Sequence, residues 1–146
     1  LSGLRIFSSQ GYTNASTRRG WRRDTDSKDA ENQGPVPSAW RSILTEVIAA
    51  FVHKDYQLST GIPGVAPVPA ATAEQVKNYI GDYRATLIDL PESTWNTSVC
   101  IWVGNRWDVL IDLSKQEEGS SDLVLQAQIF EANGSYIVHV YMVYVP

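Results

Sequence analysis

Cysteine is nearly absent from this chain, and its single example, Cys100, excludes an intrachain disulfide. Stability must then come from packing, and a lone thiol points to a reducing compartment, so a cytoplasmic location is expected. Long apolar runs are missing as well. No stretch approaches the roughly 20 apolar residues that a membrane-spanning helix requires, which excludes one. A secretory leader places its basic residues ahead of an apolar core. Here the apolar piece Leu4-Arg5-Ile6-Phe7 comes first and the arginine run follows. HExxH, CxxC and Gly-rich phosphate loops are also absent, so the common zinc, redox and nucleotide motifs give no foothold.

What is present is enough for one folded domain. The chain has 146 residues, 43% of them hydrophobic, with five Trp and seven Tyr. That length buries a core without staples. The net charge of −4 is unevenly spread. Residues 1–35 carry six basic and four acidic side chains, a net of +2, and residues 36–146 carry six and twelve, a net of −6. An acidic domain repels nucleic-acid phosphates and suits a basic protein partner. The run Arg18-Arg19-Gly20-Trp21-Arg22-Arg23 is followed at once by Asp24 and Asp26, which reads as a solvated tail. Residues 1–35 are therefore taken as a tail or linker, and residues 36–146 as the domain.

Two helices are expected. Trp40, Ile43, Leu44, Val47, Ile48 and Phe51 recur at helical spacing, with Ser38 as the N-cap. His53 and Lys54 close that helix, where cations suit the negative end of its dipole. Thr72 to Gln75 matches a capping box, and Val76, Tyr79, Ile80 and Tyr83 make a second stripe ending near Tyr83. Between the helices, Gly61 to Pro69 is too rich in Gly and Pro to be regular.

From Trp95 the period changes to two. Trp95 to Val103, Trp107 to Leu113, Leu123 to Glu131 and Tyr136 to Val145 read as four consecutive strands, with a tight turn at Asn133-Gly134. Short connections imply an antiparallel meander. The fold class is thus α+β, with two amphipathic helices packed on a four-stranded antiparallel sheet. The last strand is apolar at nearly every position, which predicts cover on both faces, by the N-terminal tail or, the preferred reading, by a partner or a second copy in a homodimer.

The acidic set Asp108, Asp112, Glu117, Glu118 and Asp122 is the candidate partner-binding site. Asp108 and Asp112 share a strand face about 13 Å apart, too far to hold one ion together. Neither a metal nor a cofactor is expected. The alternative is a ligand pocket built from Trp95, Trp102, Trp107 and His139, serving a small-molecule-binding or hydrolytic domain. Cys100 lies mid-strand and reads as a small buried hydrophobe.

The strand Trp107-Asp108-Val109-Leu110-Ile111-Asp112-Leu113 and the turn Glu117-Glu118-Gly119-Ser120-Ser121-Asp122-Leu123 resemble a small bacterial domain family. Its members pair a W-D-V-x-x-D-L strand with an E-E-G-x-S-D-L turn. This chain departs from the pattern at Ser114, where an aromatic is usual, and at Ser120, where a basic residue is usual. The resemblance implies a compact α+β domain with no established activity. On these grounds the chain is expected to be a non-catalytic protein-binding domain, of the immunity type that neutralises a toxin or another basic partner.

Overall fold

Helix α1, Ser38–Val52, turns Trp40, Leu44, Val47, Ile48 and Phe51 into the core, as the helical spacing required. The computed structural model describes residues 28–117 and 119–146. The arginine run at 18–23 and Glu118 lie outside the described residues. Ser38 does not cap α1. Pro37 holds the cap position, no side chain bonds there, and the Trp40 N–H donates to the Pro37 carbonyl.

Helix α2, Ala70–Tyr83, begins two residues before the expected cap at Thr72. Pro69 precedes it, its φ already suited to helix entry, and its carbonyl accepts the Ala73 N–H. Gln75, freed from a capping role, reaches the sheet: Nε2 donates to the Val143 carbonyl at 2.7 Å. The Val143 N–H returns a bond to Oε1 at 3.1 Å. The helix stops as expected at Tyr83, with Arg84 in the left-handed conformation at φ 61°.

The sheet starts later than the change of period suggested. Glu92–Asn96 is a 3-10 helix, and β1 runs only from Val99 to Trp102. Pro91 sets this up by accepting the Thr94 N–H, and the Thr94 carbonyl then takes both the N–H and the hydroxyl of Ser98. Trp95 is consequently a buried residue of a helical turn and not of a strand.

Strands β2 (Trp107–Lys115), β3 (Gly119–Ala132) and β4 (Ser135–Tyr144) complete an antiparallel sheet in the order β1-β2-β3-β4. Asn133 and Gly134 both take positive φ, as the tight β3–β4 turn demands. Register places Trp102, Trp107, Ile129 and Val138 in one row, and Cys100, Val109, Ala127 and Val140 in the next. Ile111, Leu125 and Val143 make a third. Apart from the half-buried Trp102, which packs against it, all three rows belong to the buried core shared with α1 and α2.

A bulge explains the unbroken apolar run of β4. Ala127 pairs with Val140 and Gln126 with Met142, so Tyr141 is the extra residue and the phase of alternation reverses across it. Val138 and Val140 face inward before the bulge and Val143 after it. Ile137 and Tyr141 are left on the outside, 37% and 50% exposed.

Single bridges occupy the sheet edges. Gly34 exchanges both backbone hydrogen bonds with Cys100 on β1. Val65 sits parallel to Val138, with the Gly64 carbonyl and the Ala66 N–H bonding β4. Gly64 adopts φ 85°, a conformation that suits glycine. Leu87 pairs with Lys115 where β2 outruns β1.

Candidate functional site

The structure divides the acidic residues between two places. Asp108 and Asp112 lie on the face of the sheet away from the helices, because Trp107, Val109, Ile111 and Leu113 take the inner positions. Each is engaged. Arg106 Nε donates to Asp108 Oδ1 at 2.9 Å in a part-buried ion pair. Thr97 donates its hydroxyl to Asp112 Oδ2, and the neighbouring Thr94 hydroxyl donates to the Asp112 carbonyl.

Glu117 and Asp122 belong to the β2–β3 tip, which folds against the segment following α2. The Gln116 N–H donates to the Thr86 carbonyl at 2.8 Å, and the Ile88 N–H to the Ser114 carbonyl at 3.2 Å. Lys115 Nζ lies 4.9 Å from the centre of the Tyr83 ring. The Asp122 N–H donates to the Tyr83 hydroxyl. Hydrogen bonds hold the Glu117 carboxyl below the usual carboxylate range, its own backbone N–H first and then Thr86, with Lys115 adding attraction. Inside the turn, Ser121 donates to the Leu113 carbonyl and accepts the Leu123 N–H.

This docking brings in acids that the sequence reading missed. Asp82 and Asp89 flank the segment held against the tip, and both are exposed. With Glu117 and Asp122 they put four acids, alongside Arg84 and Lys115, on the two segments that meet here, an acidic end of the sheet. Ile88, whose N–H bonds the Ser114 carbonyl, is 36% exposed. The available signal was the alternation Leu87-Ile88-Asp89, whose buried Leu87 reports a strand-like contact. Without knowledge of the Lys115 bridge, nothing in the sequence tied it to the tip.

The aromatic candidates separate in a similar way. Trp107 is fully buried, its ring 4.7 Å from Trp102, 5.1 Å from Trp40 and 5.8 Å from Tyr136. These rings fill the space between them edge to face or tilted, and Lys28 Nζ lies over Trp102 at 5.2 Å. Trp95 packs under the Arg41 guanidinium. His139 is exposed on the opposite side of the sheet, against the edge of Phe130. Trp102 and Trp107 thus meet, and His139 does not join them.

Cys100 is equally remote from His139: it faces the core from β1, the far edge strand from β4. Burial pushes its thiol up to about 12, which removes it as a nucleophile near neutral pH. Among the described residues, no group of three His, Cys, Asp or Glu side chains could hold a metal ion. A cleft of about 760 Å3 runs along α2 opposite Lys54–Ser59. Its lining mixes Lys54 and Lys77 with Asp55, Glu74 and Asp82. Asp55 is committed to the loop, accepting the N–H and the hydroxyl of Ser59, and these bonds lower its pKa.

Comparison with known proteins places this arrangement in a family. The chain belongs to the family described as a domain of unknown function, DUF7668, which matches residues 48–146. The match agrees with the expected small domain family without an established activity. No curated protein and no solved structure matches. Among the described residues, no helix is long and apolar enough to cross a membrane.

Proposed function

We propose that this member of the DUF7668 family is a non-catalytic protein-binding domain that receives a basic partner on its acidic end. The observation that carries the reading is the docking of Thr86 and Ile88 onto the β2–β3 tip, which joins the two segments that carry Asp82, Asp89, Glu117 and Asp122 and leaves Ile88 exposed. Exposed carboxylates on segments that also expose an apolar side chain suit a protein surface that presents Lys or Arg beside an apolar contact. The net charge of −6 over residues 36–146 draws such a partner from a distance. An immunity-type role, neutralising a toxin or another basic protein inside a bacterial cell, fits this chemistry. The buried lone thiol supports a reducing, cytoplasmic setting.

The test is a pull-down from source cells at low and high salt, run in parallel with the full chain and with a Glu117→Lys, Asp122→Lys variant. A partner held by the acidic end comes down with the native chain at low salt, weakens with added salt and is lost from the variant. Co-expression with a toxin-like neighbouring gene gives the functional readout, since the native chain then restores growth and the variant does not. Equal recovery by both proteins at every salt concentration would sink the proposal.

A further inference from the structure

The closure of the β4 edge is made by groups that imitate a neighbouring strand. An edge strand offers unpaired N–H and C=O groups to any other chain that can align with them. In β4, Val138 is satisfied by the Gly64–Ala66 loop. The Gln75 amide then meets Val143 as a peptide group would, accepting its N–H at Oε1 and donating from Nε2 to its carbonyl. The Tyr79 hydroxyl accepts the Val145 N–H at 3.1 Å. Gln75 and Tyr79 stand one helical turn apart on α2, so one helix face covers the C-terminal half of the edge.

From this geometry we infer that α2 is a guard that prevents the β4 edge from pairing with a second copy of the chain, and that Gln75 is its specific lock. The second copy is the fitting occupant because Ser135–Tyr144 is rich in Val, Tyr and Ile, uncharged apart from His139, and free of Pro and Gly. Two such strands laid antiparallel make a self-complementary contact. Tyr141 and Ile137, already exposed, would be buried by it. The inference is independent of the acidic end, which lies on other residues.

The experiment compares the full chain with Gln75→Ala and Gln75→Glu by native mass spectrometry over a range of concentrations and by hydrogen exchange at the Val143 amide. Gln75→Ala is expected to raise Val143 exchange about tenfold or more and to give dimers that increase with concentration. The Gln75→Glu carboxylate can accept the Val143 N–H but has no donor for the carbonyl. Below the ordinary Glu pKa of about 4.3 its carboxylic acid regains one donor and one acceptor, so the edge should reclose and dimers should recede relative to the native chain at the same pH. If Gln75→Ala fails to fold, this pH-dependent reclosure decides the question. A folded Gln75→Ala with native association and native exchange overturns the inference, as does a Gln75→Glu chain that matches the native one at neutral pH.

Discussion

The two faces of the sheet share every backbone bond and differ in everything else. On one face Trp107, Val109, Ile111, Leu125, Ala127 and Ile129 are sealed from water under the helices. On the other, the alternating residues Asp108, Leu110, Gln126 and Gln128 keep partial access to solvent. Val124, opposite Asp112, is buried even there, on the side where Thr97 reaches Asp112. Hydrogen bonding therefore does not decide which face matters to stability; removal of apolar surface from water does.

The sharpest way to break this comparison is a pair of truncations on opposite faces of one strand. Trp107→Ala empties a site surrounded by Trp40, Trp102 and Tyr136 and is expected to cost about 3–5 kcal/mol in urea unfolding. Leu110→Ala, on the outer face, is expected to cost less than about 1.5 kcal/mol, because much of its surface is never buried. Equal costs would show that the outer face is packed as tightly as the inner.

The same contrast explains what the sequence made legible. Periodicity of 3.6 and of two reports burial, so α1, α2 and the inner rows could be read from Trp40 to Phe51 and from Trp107 to Leu113. Caps were misread because Ser38 and Thr72 have the right chemistry, but Pro37 and Pro69 had already placed the chain for helix entry. Trp95 looked like a strand residue since aromatic alternation continues through a 3-10 turn whose bonds run to Pro91 and Ser98. The bulge at Tyr141 hid the two faces of β4 from any fixed period. The acidic end and the Gln75 lock were illegible for a common reason. Both depend on contacts between segments far apart in sequence, through single bridges that leave no pattern.

A smaller effect tests where the outer side is tied down. The buried Thr94 hydroxyl donates to the Asp112 carbonyl and joins the 3-10 helix to β2. Thr94→Val keeps the shape and removes the hydroxyl's hydrogen bond to that carbonyl. The expected cost is about 1–3 kcal/mol, between those of Trp107→Ala and Leu110→Ala, with near-native circular dichroism. A neutral result would show that the 3-10 helix is held by Trp95 burial alone.

The smallest expected effect separates the tip from the core by the kind of force that holds each. Glu117 is fully exposed, and its carboxyl is held below the usual range by hydrogen bonds from its own N–H and from Thr86. A carboxylate with a depressed folded pKa stabilises the fold fully above its unfolded value of about 4.3 and loses that contribution as pH falls through the lower folded one. Acid therefore weakens the link between the tip and Thr86 while leaving the rows around Trp107 and Val109 largely unchanged, since apolar burial holds them. Hydrogen-exchange protection at the Gln116 amide, which donates to Thr86, should fall between neutral pH and the acid limb of the titration. Protection at Val109 should not. In Glu117→Gln the amide side chain cannot titrate, so the pH dependence at Gln116 should largely vanish. If Gln116 loses protection to the same extent in that variant, the tip is governed by global unfolding, and the distinction between a charge-held end and a burial-held core fails at this point.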